Sequence, residues 1–224
     1  MPIELRSQFE LVEKYLVCSG IPWVRMEGEE ADDVIATLVH VAEGDGADIA
    51  IVTNDKDFFQ LVNEATKVVL PNDMDGEITA EAVLKKTGVR PGQIVDWLAL
   101  TGDSSDNIDG VPGIGSKTAA KLLEAYGNSD SIFSALESVT PDRIRKSLAD
   151  HRAVVIRNRE MIRLRHNLEC ALNWQTAILS GELPERLIPF FEEMEFSSLA
   201  DELGRKVDWQ SKLDFGGLTA TWKE

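Results

Sequence analysis

Apolar residues recur along the first 90 positions in two alternating patterns. Residues 5–19 and 31–42 space them three and four positions apart, which predicts two amphipathic helices. Residues 47–53 (ADIAIVT) form a near-continuous apolar run rich in β-branched side chains, which is typical of a buried parallel strand. The shorter predicted elements are strands at residues 21–26 and 67–70 and a helix at residues 57–62. This alternation predicts a layered α/β domain with a parallel sheet over residues 1–89.

Beyond residue 90 the strand signals fade and helical spacing dominates. The predicted helices are residues 93–100, 116–126, 129–136, 142–149, 152–165, 185–194 and 197–203. An all-helical second domain is therefore expected over residues 90–204. Residues 205–224 contain Gly216-Gly217 and little periodicity, so they are predicted to form a tail.

The composition is that of a globular protein. The chain has 224 residues, of which 43% are apolar and 28% are charged. It contains no apolar run long enough for a membrane helix, and its first residues lack the apolar core of a signal peptide. The two cysteines, Cys18 and Cys170, have neither metal-ligand spacing nor a disulfide pattern, which favours a reducing, cytoplasmic location.

The net charge of −16 argues against a polyanionic partner, but the charge is unevenly distributed. Residues 27–57 carry ten acids against one base, whereas residues 143–165 carry eight bases against two acids. Two solvated helix faces of opposite sign would explain this. The alternative is a cation-binding centre beside a phosphate-binding surface. Screening makes the local distribution of charge matter more than the total.

Three acidic clusters stand where predicted elements begin or end. Their members are Glu30, Asp32 and Asp33 in the first, Asp55 and Asp57 in the second, and Asp103 and Asp106 in the third. Each cluster alone has an ordinary alternative: acids that complement a helix dipole, a helix cap, or a polar turn. Two of the clusters also fit a ligand site, because the second follows a strand of the predicted parallel sheet and the third has an i,i+3 spacing.

Taken together, the seven acids predict a divalent-metal centre. Like charges about 4 Å apart repel by roughly 4 kcal/mol at an effective dielectric constant near 20, and bound cations would offset this repulsion. All-oxygen ligands suit Mg²⁺ or Mn²⁺, and a centre with two such ions is suited to phosphodiester hydrolysis. Residues 72–76 resemble a calcium loop but lack the ligands of an EF-hand at its first and twelfth positions, so an Asp-Gly turn is predicted there.

A glycine-rich segment follows the third cluster directly. Residues 110–123 read GVPGIGSKTAAKLL, in which glycines precede a helix whose free N–H groups can bind phosphate. The spacing is not that of a Walker loop and resembles instead the helix-hairpin-helix motif, which contacts the DNA backbone without reading sequence. The alternative is a plain pair of helix caps. The predicted phosphate-binding residues are Gly113, Gly115, Ser116, Lys117, Thr118 and Lys121.

The basic stretch supplies a second candidate DNA surface. Arg152, Arg159 and Arg163 are spaced by seven and four residues, so they share one helix face. We expect them to contact duplex phosphates, with a salt-dependent contribution to binding. A solvated outer face is the alternative.

The order of the segments GEEADD, IVTNDKDFFQL and ALTGDSSDNIDGVPGIGSKTAAKLL closely resembles the 5′-nuclease family. That family includes the 5′→3′ exonuclease domain of bacterial DNA polymerase I, its stand-alone homologues and flap endonucleases. The resemblance, which extends to about residue 203, implies a PIN-like (resolvase-like) α/β domain followed by a helix-three-turn-helix (SAM-like) domain. It also implies that all seven acids bind two Mg²⁺ or Mn²⁺ ions catalytically. A K⁺ ion would be held by backbone oxygens around Val111 and Ile114.

The resemblance departs at the front, where the family's first metal-bearing strand and its helical arch have no counterpart. A truncated chain, an internal start, a split gene with a partner fragment and a degenerate homologue would each explain this. The expected function is metal-dependent 5′→3′ exonuclease or flap cleavage of DNA in replication and repair, in the cytoplasm at the nucleoid. The alternatives are a non-catalytic DNA-binding fragment that needs the missing strand and arch, and, more weakly, an RNA-directed nuclease.

Overall fold

A computed structural model of the chain describes residues 3–179 and 185–212. Contacts divide the chain into two compact units. One consists of residues 1–25 and 171–224, and the other of residues 26–170. The predicted domain boundary at residues 89 and 90 stays a prediction.

The larger unit begins with a small mixed sheet. Strand β1 (Ile49–Val52) runs parallel to β2 (Thr66–Leu70), and β2 pairs antiparallel with β3 (Asp73–Ile78). Helix α2 (Ala31–Gly44) precedes β1, and a 3₁₀ helix (Lys56–Leu61) makes the connection from β1 to β2. The predicted parallel pairing is thus confirmed for β1 and β2.

Three sequence predictions for this region were wrong. Residues 21–26 do not form a strand, since Pro22 lacks an N–H donor and no described segment pairs with them. Strand β1 lies at an edge of the three-stranded order and buries only Ile51, while Val52 is 53% exposed. The Asp-Gly pair at residues 75–76 lies within β3, so the turn of this hairpin comes earlier, around Pro71 and Asn72.

Helices build the rest of the larger unit. They are α3 (Ala80–Thr87), α4 (Ile94–Thr101), α5 (Ser116–Tyr126), α6 (Ser129–Ser134), α7 (Asp142–Asp150) and α8 (Arg152–Ile162). Two very short strands, β4 (Gly102–Asp103) and β5 (Ile108–Asp109), form an antiparallel pair between α4 and α5. Helix α8 ends three residues before the predicted end, and the chain continues without helix through residues 163–170.

One hydrophobic core joins the sheet to these helices. Phe58 and Val68 from the sheet region belong to the same buried cluster as Leu98, Leu123 and Val155 from α4, α5 and α8. Helix α4 packs against both α5 and α8. The loops that carry the acidic residues are therefore anchored on a shared core.

The described residues of the smaller unit form three helices. These are α1 (Ile3–Ser19), α9 (Leu187–Glu193) and α10 (Ser197–Lys212). Tyr15 packs against Phe190 at a ring-centroid distance of 5.9 Å. Helix α10 extends to Lys212, within the predicted tail, and residues 213–224 lie outside the described part, so the tail from residue 205 stays a prediction. Among the described residues, no helix is both long and apolar enough to cross a membrane.

Candidate metal centre

Carboxylates from two of the three predicted clusters converge in the larger unit. Oxygen atoms of Asp57, Asp103 and Asp106 lie within 4.8 Å of one another. Asp57 and Asp103 are 8% and 2% exposed, whereas Asp106 is exposed to solvent. The site thus has two buried carboxylates and one that faces solvent. This arrangement suits an ion that must also contact a substrate.

Asp57 is the member of this group whose charged form is least stabilised by the surrounding protein. Its buried Oδ1 atom has no hydrogen-bond partner among the described residues. Burial, followed by the charges of Asp55, Asp103 and Asp106, raises the pKa of Asp57 to about 7. An unpaired buried carboxylate oxygen is costly, and a bound cation would remove that cost.

Asp103 is held in its charged form. Its Oδ2 atom lies 2.8 Å from Nζ of Lys56, and its Oδ1 atom accepts a hydrogen bond from the Ser105 backbone N–H at 2.9 Å. Burial works against the charge, but these hydrogen bonds outweigh it and lower the pKa of Asp103. Sequence reasoning missed Lys56, although its position between Asp55 and Asp57 was a usable signal.

Asp55 combines two of the predicted roles. Its Oδ1 atom accepts from the Asp57 N–H at 2.9 Å and caps the 3₁₀ helix, as the capping alternative proposed. Its charge also raises the pKa of Asp57. The cap therefore orients the segment while adding negative charge to the centre.

The first cluster is divided by the structure. Burial, then the charges of Asp55, Glu30 and Asp106, raises the pKa of Asp32. Glu30 is the exposed N-cap residue of α2 and makes no side-chain capping bond. Asp33 is buried, and both of its oxygens accept hydrogen bonds from Arg165, at 2.7 Å from the backbone N–H and 2.6 Å from Nε.

Two glycines explain the shape of the loop that carries Asp103 and Asp106. A Cβ atom at Gly110 would overlap the backbone of Thr101, and one at Gly102 would overlap the backbone of Ile108 and Gly110. Gly102 also has φ +78°, a conformation that favours glycine. The loop ends can therefore meet closely only because neither position carries a side chain.

The glycine-rich hairpin has the conformation that a phosphate site needs. Gly113 has φ +80°, and Gly115 is the N-cap of α5 with open space around it. Ser116, Lys117 and Lys121 are exposed, while Thr118 is half-buried and its backbone N–H bonds to the Gly115 carbonyl at 2.9 Å. The Val111 carbonyl accepts from the Ile114 N–H at 3.0 Å, which leaves it one further lone pair.

The three arginines of the basic helix differ in their surroundings. Arg152 is exposed and stands over the Phe133 ring at 5.4 Å, and Arg163 is exposed at the end of α8. Arg159 is only 19% exposed, and its guanidinium lies 3.1 Å from Asp96 and 2.8 Å from Asp130. Two carboxylates thus already pair with Arg159, and its predicted contact with duplex phosphate stays a prediction.

The chain thus combines an α/β region that carries a carboxylate centre with a helical region that carries a glycine-rich hairpin. Residues 1–88 match the family model described as "5′-3′ exonuclease, N-terminal resolvase-like domain". Residues 89–185 match "5′-3′ exonuclease, C-terminal SAM fold". The chain belongs to the 5′-3′ exonuclease family, and both the resemblance and the fold class expected from the sequence are confirmed.

The curated relatives are longer proteins. The chain is 36% identical over 208 residues to DNA polymerase I of Rhizobium leguminosarum, covering 92% of this chain and 20% of that protein. It is 38% identical over 204 residues to the thermostable DNA polymerase I of Thermus filiformis, covering 91% and 24% respectively. The chain thus spans between a fifth and a quarter of the length of these relatives.

Solved structures share the fold at low sequence identity. The T5 5′-exonuclease with bound zinc ions matches with a TM-score of 0.62 at 23% identity, covering 72% of this chain and 62% of that one. The catalytic core of Rad2 in complex with DNA substrate matches with a TM-score of 0.56 at 18% identity, covering 86% and 63%. These matches establish the architecture independently of the motifs.

Proposed function

We propose that this chain is a divalent-metal-dependent nuclease that acts on DNA as a 5′→3′ exonuclease or flap endonuclease. The observation that carries the proposal is the buried, unpartnered Oδ1 atom of Asp57 beside Asp103 and Asp106. A structural carboxylate would have a hydrogen-bond partner, whereas a metal ligand is satisfied by its ion. Family membership supplies the reaction class that fits this donor set.

The donors suit Mg²⁺ or Mn²⁺, since all of them are carboxylate oxygens. In this proposal Asp57, Asp103 and Asp106 hold one ion. Asp32, whose pKa is raised by burial and then by the charges of Asp55 and Glu30, holds a second ion together with those two acids. Bound divalent ions stabilise charge on the scissile phosphate and lower the pKa of an attacking water. The exposed side of the site at Asp106 leaves room for the phosphate to approach.

The hairpin and the basic helix form the proposed DNA surface. The N-terminus of α5 presents free N–H groups, and Lys117 and Lys121 add positive charge on one exposed face. Arg152 and Arg163 extend this surface as exposed cations. Backbone oxygens of Val111 and Ile114 are proposed to hold K⁺ where the hairpin meets a phosphate. A DNA substrate would place the protein in the cytoplasm at the nucleoid.

The test is cleavage of a 5′-labelled flap DNA by the purified chain with and without Mg²⁺. We expect cleavage only with the metal. Asp57→Asn should lower the rate by on the order of 10³-fold, about 4 kcal/mol of transition-state stabilisation. Asp142→Asn is the matched control, because Asp142 is an exposed acid on α7 that pairs with Lys146.

Three outcomes would decide the matter. Metal-dependent cleavage that is lost in Asp57→Asn and kept in Asp142→Asn supports the proposal. Cleavage that survives Asp57→Asn contradicts it. DNA binding without cleavage favours the alternative, a DNA-holding fragment whose centre is completed by a segment supplied from elsewhere.

A further inference from the structure

One short segment of the larger unit contacts all three carboxylate-bearing segments. It consists of the last turns of α8 and the extended residues that follow, residues 158–168, and is called the strap below. None of its residues belongs to the seven acids. Its contacts come from Asn158, Ile162, Leu164, Arg165 and Leu168.

At the first cluster the strap holds Asp33. Arg165 donates to both Asp33 oxygens, and its Nη2 atom lies 2.5 Å from Oε2 of Glu29. Three residues after Arg165, the Leu168 N–H donates a hydrogen bond to Thr37 Oγ1. That hydroxyl itself donates to the Asp33 carbonyl. The start of α2 is thereby fixed to the strap from both the side chain and the backbone of Asp33.

At the second cluster the link is Gln60. Its Nε2 atom donates to the Asp57 carbonyl at 2.9 Å and to the Ile162 carbonyl at 3.1 Å. Its Oε1 atom accepts from the Leu164 N–H at 3.1 Å. The side-chain amide of Gln60 therefore connects the backbone of Asp57 to the strap.

At the third cluster the link is Asn158, which is fully buried. Its Nδ2 atom donates to the Ala99 carbonyl at 3.2 Å and to the Asp109 carbonyl at 2.8 Å. These carbonyls stand on either side of the loop that carries Asp103 and Asp106. The amide thus joins the two ends of that loop.

We propose that the strap sets the spacing of the three carboxylate segments, with Asn158, Gln60 and the Asp33–Arg165 pair as positioning residues. Asp33 in this proposal is a partner of Arg165 and not a metal ligand, which departs from the role that the family resemblance implies for it. Residues that orient metal ligands through hydrogen bonds commonly change metal affinity 10- to 100-fold when they are altered. The inference rests on the proposed metal centre.

The test measures Mn²⁺ binding by electron paramagnetic resonance of the free ion, without DNA, at a temperature well below unfolding. We expect Arg165→Ala and Asp33→Asn each to weaken Mn²⁺ binding about tenfold. The double variant should be no worse than either single one, because both break the same contact. Arg165→Lys should restore part of the affinity, and it remains informative if Arg165→Ala fails to fold. Arg25→Ala is the matched control, since Arg25 also pairs with a carboxylate, Glu13, in the other unit.

The outcomes separate the strap from the metal centre itself. If Asp33 were a ligand restrained by Arg165, then Arg165→Ala would leave Mn²⁺ affinity unchanged or raise it, and the positioning role would be overturned. Independent, additive losses in the double variant would also overturn it. If the unaltered chain binds no Mn²⁺, the proposed function itself fails. If that chain binds the ion and all strap variants match it, only the strap proposal fails.

Discussion

Two glycine-containing loops follow each other directly in this chain, and they are built in opposite ways. In residues 102–110, Gly102 and Gly110 approach each other's backbone so closely that neither has room for a Cβ atom. The loop between them buries Asp103. In the following hairpin, Gly115 faces open space, and the lysines after it are exposed.

This difference matches what each loop is proposed to bind. A centre for a divalent ion needs carboxylates at fixed separations, so packing and buried hydrogen bonds must resist their repulsion. A site for backbone phosphate needs accessible N–H groups and mobile positive charge, which an ordinary helix start supplies. Substitutions in the first loop should therefore change the stability of the chain and its pH dependence. Substitutions in the second loop should mainly change DNA affinity.

The pH dependence of the metal-free chain should show the cost of charging the buried Asp57 beside Asp103 and Asp106 of the first loop. The pKa of Asp57 is about 7 in the folded chain, above its ordinary value of 3.8. Between these values the folded state binds more protons than the unfolded state. Its free energy of unfolding should therefore fall as pH rises, by up to about 1.4 kcal/mol per pH unit.

Urea unfolding in EDTA across that pH range measures this effect. Asp57→Asn should flatten the profile, and so should saturating Mg²⁺, since a bound ion stabilises the charged carboxylate. An equally steep decline in Asp57→Asn would show that some other group is responsible.

Substituting the glycines tests the comparison directly. Gly110→Ala should destabilise the chain by about 3 kcal/mol, because the added methyl group overlaps the Thr101 backbone. Gly115→Ala, at φ −93° with open space around it, should change stability little. Thermal unfolding of both variants is the measurement. Equal stability losses would mean that the loops do not differ in packing as described.

The two arginines near the end of α8 should separate stability from DNA binding in the same way. Arg159→Ala removes the cation beside the buried Asp96 and should destabilise the chain by about 2 kcal/mol. Arg163→Ala alters an exposed side chain and should leave stability unchanged while weakening DNA binding. Chemical denaturation and fluorescence anisotropy with duplex DNA provide the two measurements. A stability loss in Arg163→Ala alone would reverse the assignment.

The elements predicted correctly are those whose boundaries are set by residues close to them in the sequence. Helix α5 begins and ends at the predicted residues because Gly115 and Gly127 bracket its amphipathic pattern. Asp57, Asp103 and Asp106 converge from segments that follow β1 and α4, whose ends were recognisable from the pattern. Strand β3 was missed because its sequence, DMDGEI, has almost no apolar alternation.

What the sequence could not predict depends on distant partners. Asp33 looked like its neighbour Asp32, but Arg165 pairs with it from 132 residues away. By spacing, Arg159 is equivalent to Arg152 and Arg163, but of these three described residues only Arg159 pairs with Asp96 and Asp130, which are distant in the sequence. The run IAIV predicted a buried strand, since periodicity records apolar residues and not which neighbours cover them.

The smallest expected effect concerns the hairpin lysines and bears on affinity alone. Replacing both Lys117 and Lys121 by alanine should weaken binding to duplex DNA about tenfold at low salt and reduce the slope of log K against log salt by about 2, one per lost phosphate contact. Stability should not change, because both side chains are exposed and neither belongs to an ion pair found among the described residues. Binding titrations at several salt concentrations measure the slope, and Lys85→Ala with Lys86→Ala, two lysines on α3, gives a control of equal charge change. If the control pair reduced the slope as much as the hairpin pair, the hairpin would contribute only its charge, and the proposed phosphate site at the start of α5 would be wrong.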